Sequence, residues 1–202
     1  MQNELQVFEK NIEETRYISS LFDYLTNTVV SPMSFEDLLR SQIVYSVSAF
    51  DKLMHGIICK GMVETFIGTR IPTPKYLSEP ITMATHFELI TASLPPKEYL
   101  FEQAIVKKLK VVSYQEPGKV SDGLSYIWDE KQKWQKIATS MGMNEQDVRT
   151  TLKLIADRRN MIVHEADIDP STSIKRPLSK TEAASTIDFL HECGLAITAQ
   201  VQ

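Results

Sequence analysis

Phe35, Leu39, Ile43, Val47, Phe50, Met54 and Ile57 recur at steps of three and four residues, and the same pattern extends to about Phe66. That spacing puts every one of them on a single helical face. A helix of this length with an apolar stripe is stable only when other elements cover the stripe, so the chain needs helical partners for it. Ser34 reads as its N-cap, with Glu36 and Asp37 in the first turn, where the helix dipole favours carboxylates.

The partners are legible on either side. Leu5, Phe8, Ile12, Tyr17, Leu21 and Leu25 predict a first helix over about 4–28, ended by Ser31-Pro32-Met33-Ser34. Pro72, Pro74 and Pro80 break the chain over 68–80. A short helix follows over about 81–91, Pro95-Pro96 stops it, and a helical pattern resumes over 97–111. Asp122 to Met141 reads as one further helix carrying Trp128 and Trp134. Asn144 caps a helix with the stripe Val148, Leu152, Ile155, Arg159 and Ile162, and Ser179-Lys180-Thr181-Glu182 is a capping box opening the last one. With only 7 glycines the pattern favours helices over a many-stranded sheet. The expected fold is all-α, an antiparallel four-helix bundle with additional inserted helices. It forms one domain over 1–202, with 68–142 as a helical elaboration between its halves.

The net charge is −4, from 22 Lys and Arg against 26 Asp and Glu, so any contact with nucleic acid must be local. Cys59 and Cys193 are far apart and fit no metal or disulfide pattern; they read as reduced core residues of a cytoplasmic protein. The amino-terminal segment has no signal-peptide pattern. The most apolar stretch, Ile43 to Ile67, is interrupted by Asp51, Lys52, His55 and Lys60, which excludes a membrane span there.

Arg159 is the anomaly. It occupies the apolar stripe of its helix, where an unpaired guanidinium costs several kcal/mol. His164 follows five residues later. A fork that binds phosphate-like anions and an imidazole that titrates near neutral pH are the two parts needed to cleave RNA without a metal. The alternative is structural: Arg159 pairs with a buried carboxylate such as Asp51, and His164 merely ends the helix. Both hold at once if an Asp51–Arg159 pair preorganises the guanidinium. Asp51 and His55 lie four apart on one face, as a supporting pair. Arg158, one step off the stripe, is expected at the solvent or rim. In Lys131-Gln132-Lys133-Trp134-Gln135-Lys136, Lys133 and Trp134 are candidate RNA contacts by charge and stacking, against the commoner case of a solvated face whose Trp enters the core. His164, Glu165, Asp167 and Asp169 lack metal-ligand spacing, and His86 and His191 read as structural.

The pattern Arg159-Asn160-x-x-x-His164 at a helix end resembles the HEPN superfamily, and Asn160 fills the polar place that often follows its arginine. Ser46-Val47-Ser48-Ala49-Phe50-Asp51-Lys52-Leu53-Met54-His55 looks like the first core helix of the RiboL-PSP-HEPN branch. The likeness covers roughly 35–70 and 144–200. It implies an antiparallel bundle that dimerises, bringing two copies of the motif into one cleft. Many members are metal-independent endoribonucleases of toxin–antitoxin or antiviral defence systems; others only bind or scaffold. One departure matters: toxins controlled by a nucleotidyltransferase antitoxin carry a tyrosine two residues after the motif histidine, and this chain has Ala166.

The resemblance and the residues together predict these roles. His164 is general base or acid, Arg159 an electrostatic clamp, and Asn160 orients phosphate or imidazole. RNA is the expected substrate, with no cofactor or metal, no membrane, and a second copy or an antitoxin or defence partner as protein ligand. Five residues along a helix turn about 500° and rise about 7.5 Å. The two side chains therefore diverge unless the helix ends near Val163 or a second chain completes the site. A non-catalytic RNA- or nucleotide-binding module, and a helical adaptor without nucleic acid, are the competing readings.

Overall fold

The computed structural model describes residues 1–32 and 34–202. Met33, in the expected break Ser31–Ser34, lies outside the described residues. Among the described residues there are nine helices and no strand: α1 Gln2–Thr28, α2 Glu36–Phe66, α3 Pro74–Leu77, α4 Met83–Thr91, α5 Lys97–Leu109, α6 Pro117–Leu124, α7 Lys133–Ser140, α8 Glu145–Glu165 and α9 Lys180–Val201. The fold is all-α, and none of the described helices is long and apolar enough to cross a membrane.

α2 is the axis of the molecule. It packs against α1, α9, α5, α8 and α6. It buries more than its stripe: Leu39, Ile43, Val47, Phe50 and Met54 on one side, and Ala49, Ile58, Cys59 and Met62 around the rest of its circumference. Each such aliphatic or aromatic side chain contributes roughly 1.5–3 kcal/mol by leaving water, which outweighs any propensity term in so long a helix. On this helix the Gln42 amide N–H donates to the Thr15 carbonyl at 2.9 Å and to Ser19 Oγ at 2.8 Å. Gly194 of α9 lets the bundle close here, because a Cβ at that position would lie 2.5 Å from the Phe8 ring and 3.0 Å from Leu53.

The segment between α2 and α8 is built into the same core. Phe101, Ile105, Leu109, Leu124, Trp134 and Ile137 belong to one cluster with the bundle residues. Arg70 pins its start, donating to the Ile127 carbonyl at 3.1 Å and the Val201 carbonyl at 2.7 Å.

Several expectations are adjusted. Ser34 is one position early: Phe35 is the N-cap of α2, although Ser34 Oγ does accept from the Glu36 N–H at 3.2 Å. On α1 the buried positions are Phe8, Ile12 and Thr15, continued by half-buried Phe22, whereas Tyr17 and Leu21 are exposed. Asp122–Met141 is two helices, not one. The chain turns through Ser125–Ile127, and Trp128 sits in the connection between α6 and α7. His86 is exposed on α4.

Candidate functional site

α8 positions the motif. Asn144 Oδ1 accepts from the Asp147 N–H at 2.8 Å and fixes the start of the helix. Val148, Leu152, Ile155 and Ala156 bury its inner face. The helix stays regular through Glu165 and stops at Ala166, which takes a left-handed conformation at φ 52°, followed by Asp167 at φ 58°. The helix therefore does not end near Val163. Arg159 and His164 remain on one continuous helix, about 140° apart around its axis. His164 is exposed in the last turn.

Arg159 is half-buried and reaches a cleft of about 570 Å³ floored by α2 and walled by α5. Its Nη1 donates to Asn160 Oδ1 at 3.1 Å, so Asn160 orients the guanidinium directly. Its Nε is buried and has no hydrogen-bond partner in the chain. A buried donor left in that state costs about 1–3 kcal/mol.

Asp51 and His55 line the same cleft. They do not form the expected Asp51–Arg159 pair. Asp51 Oδ1 instead accepts the backbone N–H of Tyr114, and its Oδ2 lies 3.7 Å from His55 Nε2. The His55 ring meets the Tyr114 ring edge-on, with centroids 4.9 Å apart. Burial pushes the Tyr114 hydroxyl up to about 12. Cys59, on the cleft floor, is also pushed up by burial, to about 11, so it offers apolar surface and no thiolate.

Arg158 turns away from the rim. Its Nη2 donates to Asp167 Oδ2 at 2.9 Å and to the Pro177 carbonyl at 3.2 Å. Asp167 is fully buried, and the same oxygen accepts Arg40 Nε at 2.7 Å. Arg40, itself buried, also donates to the Arg176 carbonyl at 2.6 Å. Two guanidinium groups on one carboxylate thus hold the 166–177 loop against α2 and α8. Lys133 and Trp134 are buried as well. The lysine donates to the Glu130 carbonyl, and the indole N–H donates to the Pro117 carbonyl at 3.1 Å. Neither presents a face for a base.

Sequence reasoning brought Arg159, Asn160, Asp51 and His55 to one region and missed the wall that α5 supplies. In Lys107-Lys108-Leu109-Lys110, Lys110 lines the cleft, while Lys108 pairs with Glu79. Nothing local in α5 marks Val106 and Leu109 as cleft residues.

A family model, RiboL-PSP-HEPN, matches residues 9–200. The chain belongs to the RiboL-PSP-HEPN family. The match runs from within α1 to the last turn of α9, and so covers more of this HEPN domain than the two motif-bearing stretches alone. No curated protein and no solved structure matches it.

Proposed function

We propose that this HEPN protein is a metal-independent endoribonuclease, a toxin or antiviral defence effector, whose site is shared between two copies of the chain. Arg159, oriented by Asn160, clamps the phosphate, and His164 transfers the proton. In such a cleavage the 2′-oxygen attacks phosphorus, its proton goes to a base, the P–O5′ bond breaks, and an acid protonates the departing oxygen. The observation that carries the reading is Arg159, which lines a cleft and is held by Asn160, five residues before an exposed motif histidine on the same helix. The regularity of α8 through Glu165 supports the shared arrangement, because a single copy turns the two side chains apart.

The test is RNA cleavage by the purified protein in EDTA, beside His164→Ala and Arg159→Ala, with sedimentation to give the oligomeric state. EDTA-resistant cleavage by a dimer, lost in both variants, is the expected result. Cleavage that survives His164→Ala, or none in the parent, removes the nuclease reading. The net charge of −4 favours a second reading, a non-catalytic HEPN module that binds RNA or nucleotide. That reading predicts binding without strand scission, lost in Arg159→Ala.

A further inference from the structure

α4 is nine residues long and buries a single side chain, Leu89. Leu89 and half-buried Thr85 and Ala92 form its inner side, and the helix packs against α5. The opposite side is apolar. Met83, Phe87 and Ile90 recur there at steps of four and three, Ile81 precedes them, and Leu94 continues the row past the helix end. All five are open to water: Ile81 by 48%, Met83 by 81%, Phe87 by 63%, Ile90 by 57% and Leu94 by 87%. None of them lines the Arg159 cleft. A helix shorter than about 12–15 residues is marginal in water and depends on packing of its apolar face, yet most of the apolar face of α4 is uncovered.

We infer that this face pairs with α4 of a second copy of the chain, so that two α4–α5 hairpins close into one four-helix unit across a two-fold axis. The area fits. A large apolar side chain has on the order of 150–200 Å² to bury, so the five present roughly 500–650 Å² on one protomer. Two such faces amount to roughly 1,000–1,300 Å², and exposed Ala84 and Thr91 on the same helix add to that, which reaches the lower bound of about 1,200 Å² for a stable interface. The charge pattern fits as well. A two-fold contact lays a surface against its own copy, so a charge at its centre would meet a like charge. The row carries none; His86 and Glu88 flank Phe87 on either side of it. Phe and Met at the centre and charge at the rim is the composition of an interface core. The contact is separate from the shared nuclease site and does not depend on it. It gives the 68–142 elaboration a role, as the part of the chain that carries a self-association surface.

The test is sedimentation of the full-length chain from low to high micromolar concentration, beside Phe87→Glu. The variant should weaken one association step at least tenfold, since it sets two like charges face to face at the centre of the contact. If the shared nuclease site also forms, that loss takes the assembly from four chains to two and leaves EDTA-resistant cleavage in place; if it does not form, the loss takes it from two chains to one. Either result supports the inference. Phe87→Ala, which keeps the helix and removes the ring, should weaken the same step and stands in if the Glu variant does not fold. Amide exchange in the parent places the contact: protection over residues 83–91 should rise with protein concentration. An assembly unchanged in the Phe87 variants, a parent that stays monomeric, or α4 amides whose exchange ignores concentration overturns the inference. Protection of a monomeric parent by phosphatidylcholine–phosphatidylglycerol vesicles would assign the face to a lipid surface and overturn it equally.

Discussion

Replacing Asp167 with Asn removes one charge from the buried cluster and changes almost nothing else. The backbone there sits at φ 58°, a region asparagine tolerates as readily as aspartate. Oδ2 of Asp167 accepts two guanidinium bonds, at 2.7 Å from Arg40 and 2.9 Å from Arg158. A hydrogen bond to a charged group contributes about 1.5–3 kcal/mol and a neutral one about 0.5–1.5 kcal/mol, so each bond loses roughly 1–1.5 kcal/mol. Arg40 keeps Glu36 at 3.4 Å, Asp37 at 3.2 Å and the Arg176 carbonyl, which offsets part of the loss. The expected net destabilisation is about 2 kcal/mol. With a urea m-value near the upper end of the usual ~1–3 kcal/mol/M, the unfolding midpoint should fall by roughly 0.7–1 M. Asp23→Asn is the control. Its pair with Lys180 is half-exposed on both sides and should be worth no more than about 0.5 kcal/mol. Indistinguishable midpoints for the two variants would refute the claim that the carboxylate at 167 anchors the loop.

Tyr114 gives a pH prediction. Its folded hydroxyl titrates at about 12 against an ordinary 10.0, so its stabilising contribution is complete below pH 10 and is lost as pH rises towards 12. Tyr114→Phe should flatten that part of the alkaline stability curve measured by urea unfolding at stepped pH. Gly194→Ala places a methyl 2.5 Å from the Phe8 ring and should cost about 1–3 kcal/mol, read as a lower thermal midpoint. Cys59 and Cys193, raised by burial to about 11 and about 12, should be silent to a thiol-disulfide reagent at pH 8 until urea unfolds the chain.

What could be read in the sequence was what is local. The Asn144 cap, the Ser179–Glu182 capping box and the run of α2 to Phe66 depend on neighbours within one turn, and all three are present. The all-helical class followed from them. What depended on distant partners was less legible. Tyr17 and Leu21 match a helical period as well as Phe22 does, yet only contact with α2 and α9 decides which face of α1 goes inward. Trp128 and Trp134 fit one helix on paper, but the chain turns between them so that the indole of Trp134 meets the Pro117 carbonyl. Asp167 and Arg40 are 127 positions apart, and neither flank announces the other. At the candidate site, Arg159 stood out because it broke an apolar pattern. Arg158 occupied an ordinary surface position in the same pattern, which gave no hint of its grip on the loop.

Because five other helices lean on α2, adding or deleting one residue near its middle would rotate everything downstream by about 100° and misdirect every neighbour at once. The connection from Ile67 to Asn144 also packs into the core through α5, α6 and α7, but the loops between those helices can change length without disturbing that rotation. Homologous chains should therefore keep the spacing from Phe35 to Phe66 fixed, and let their differences in size, and in what the cleft accepts, accumulate in the segment that supplies α5.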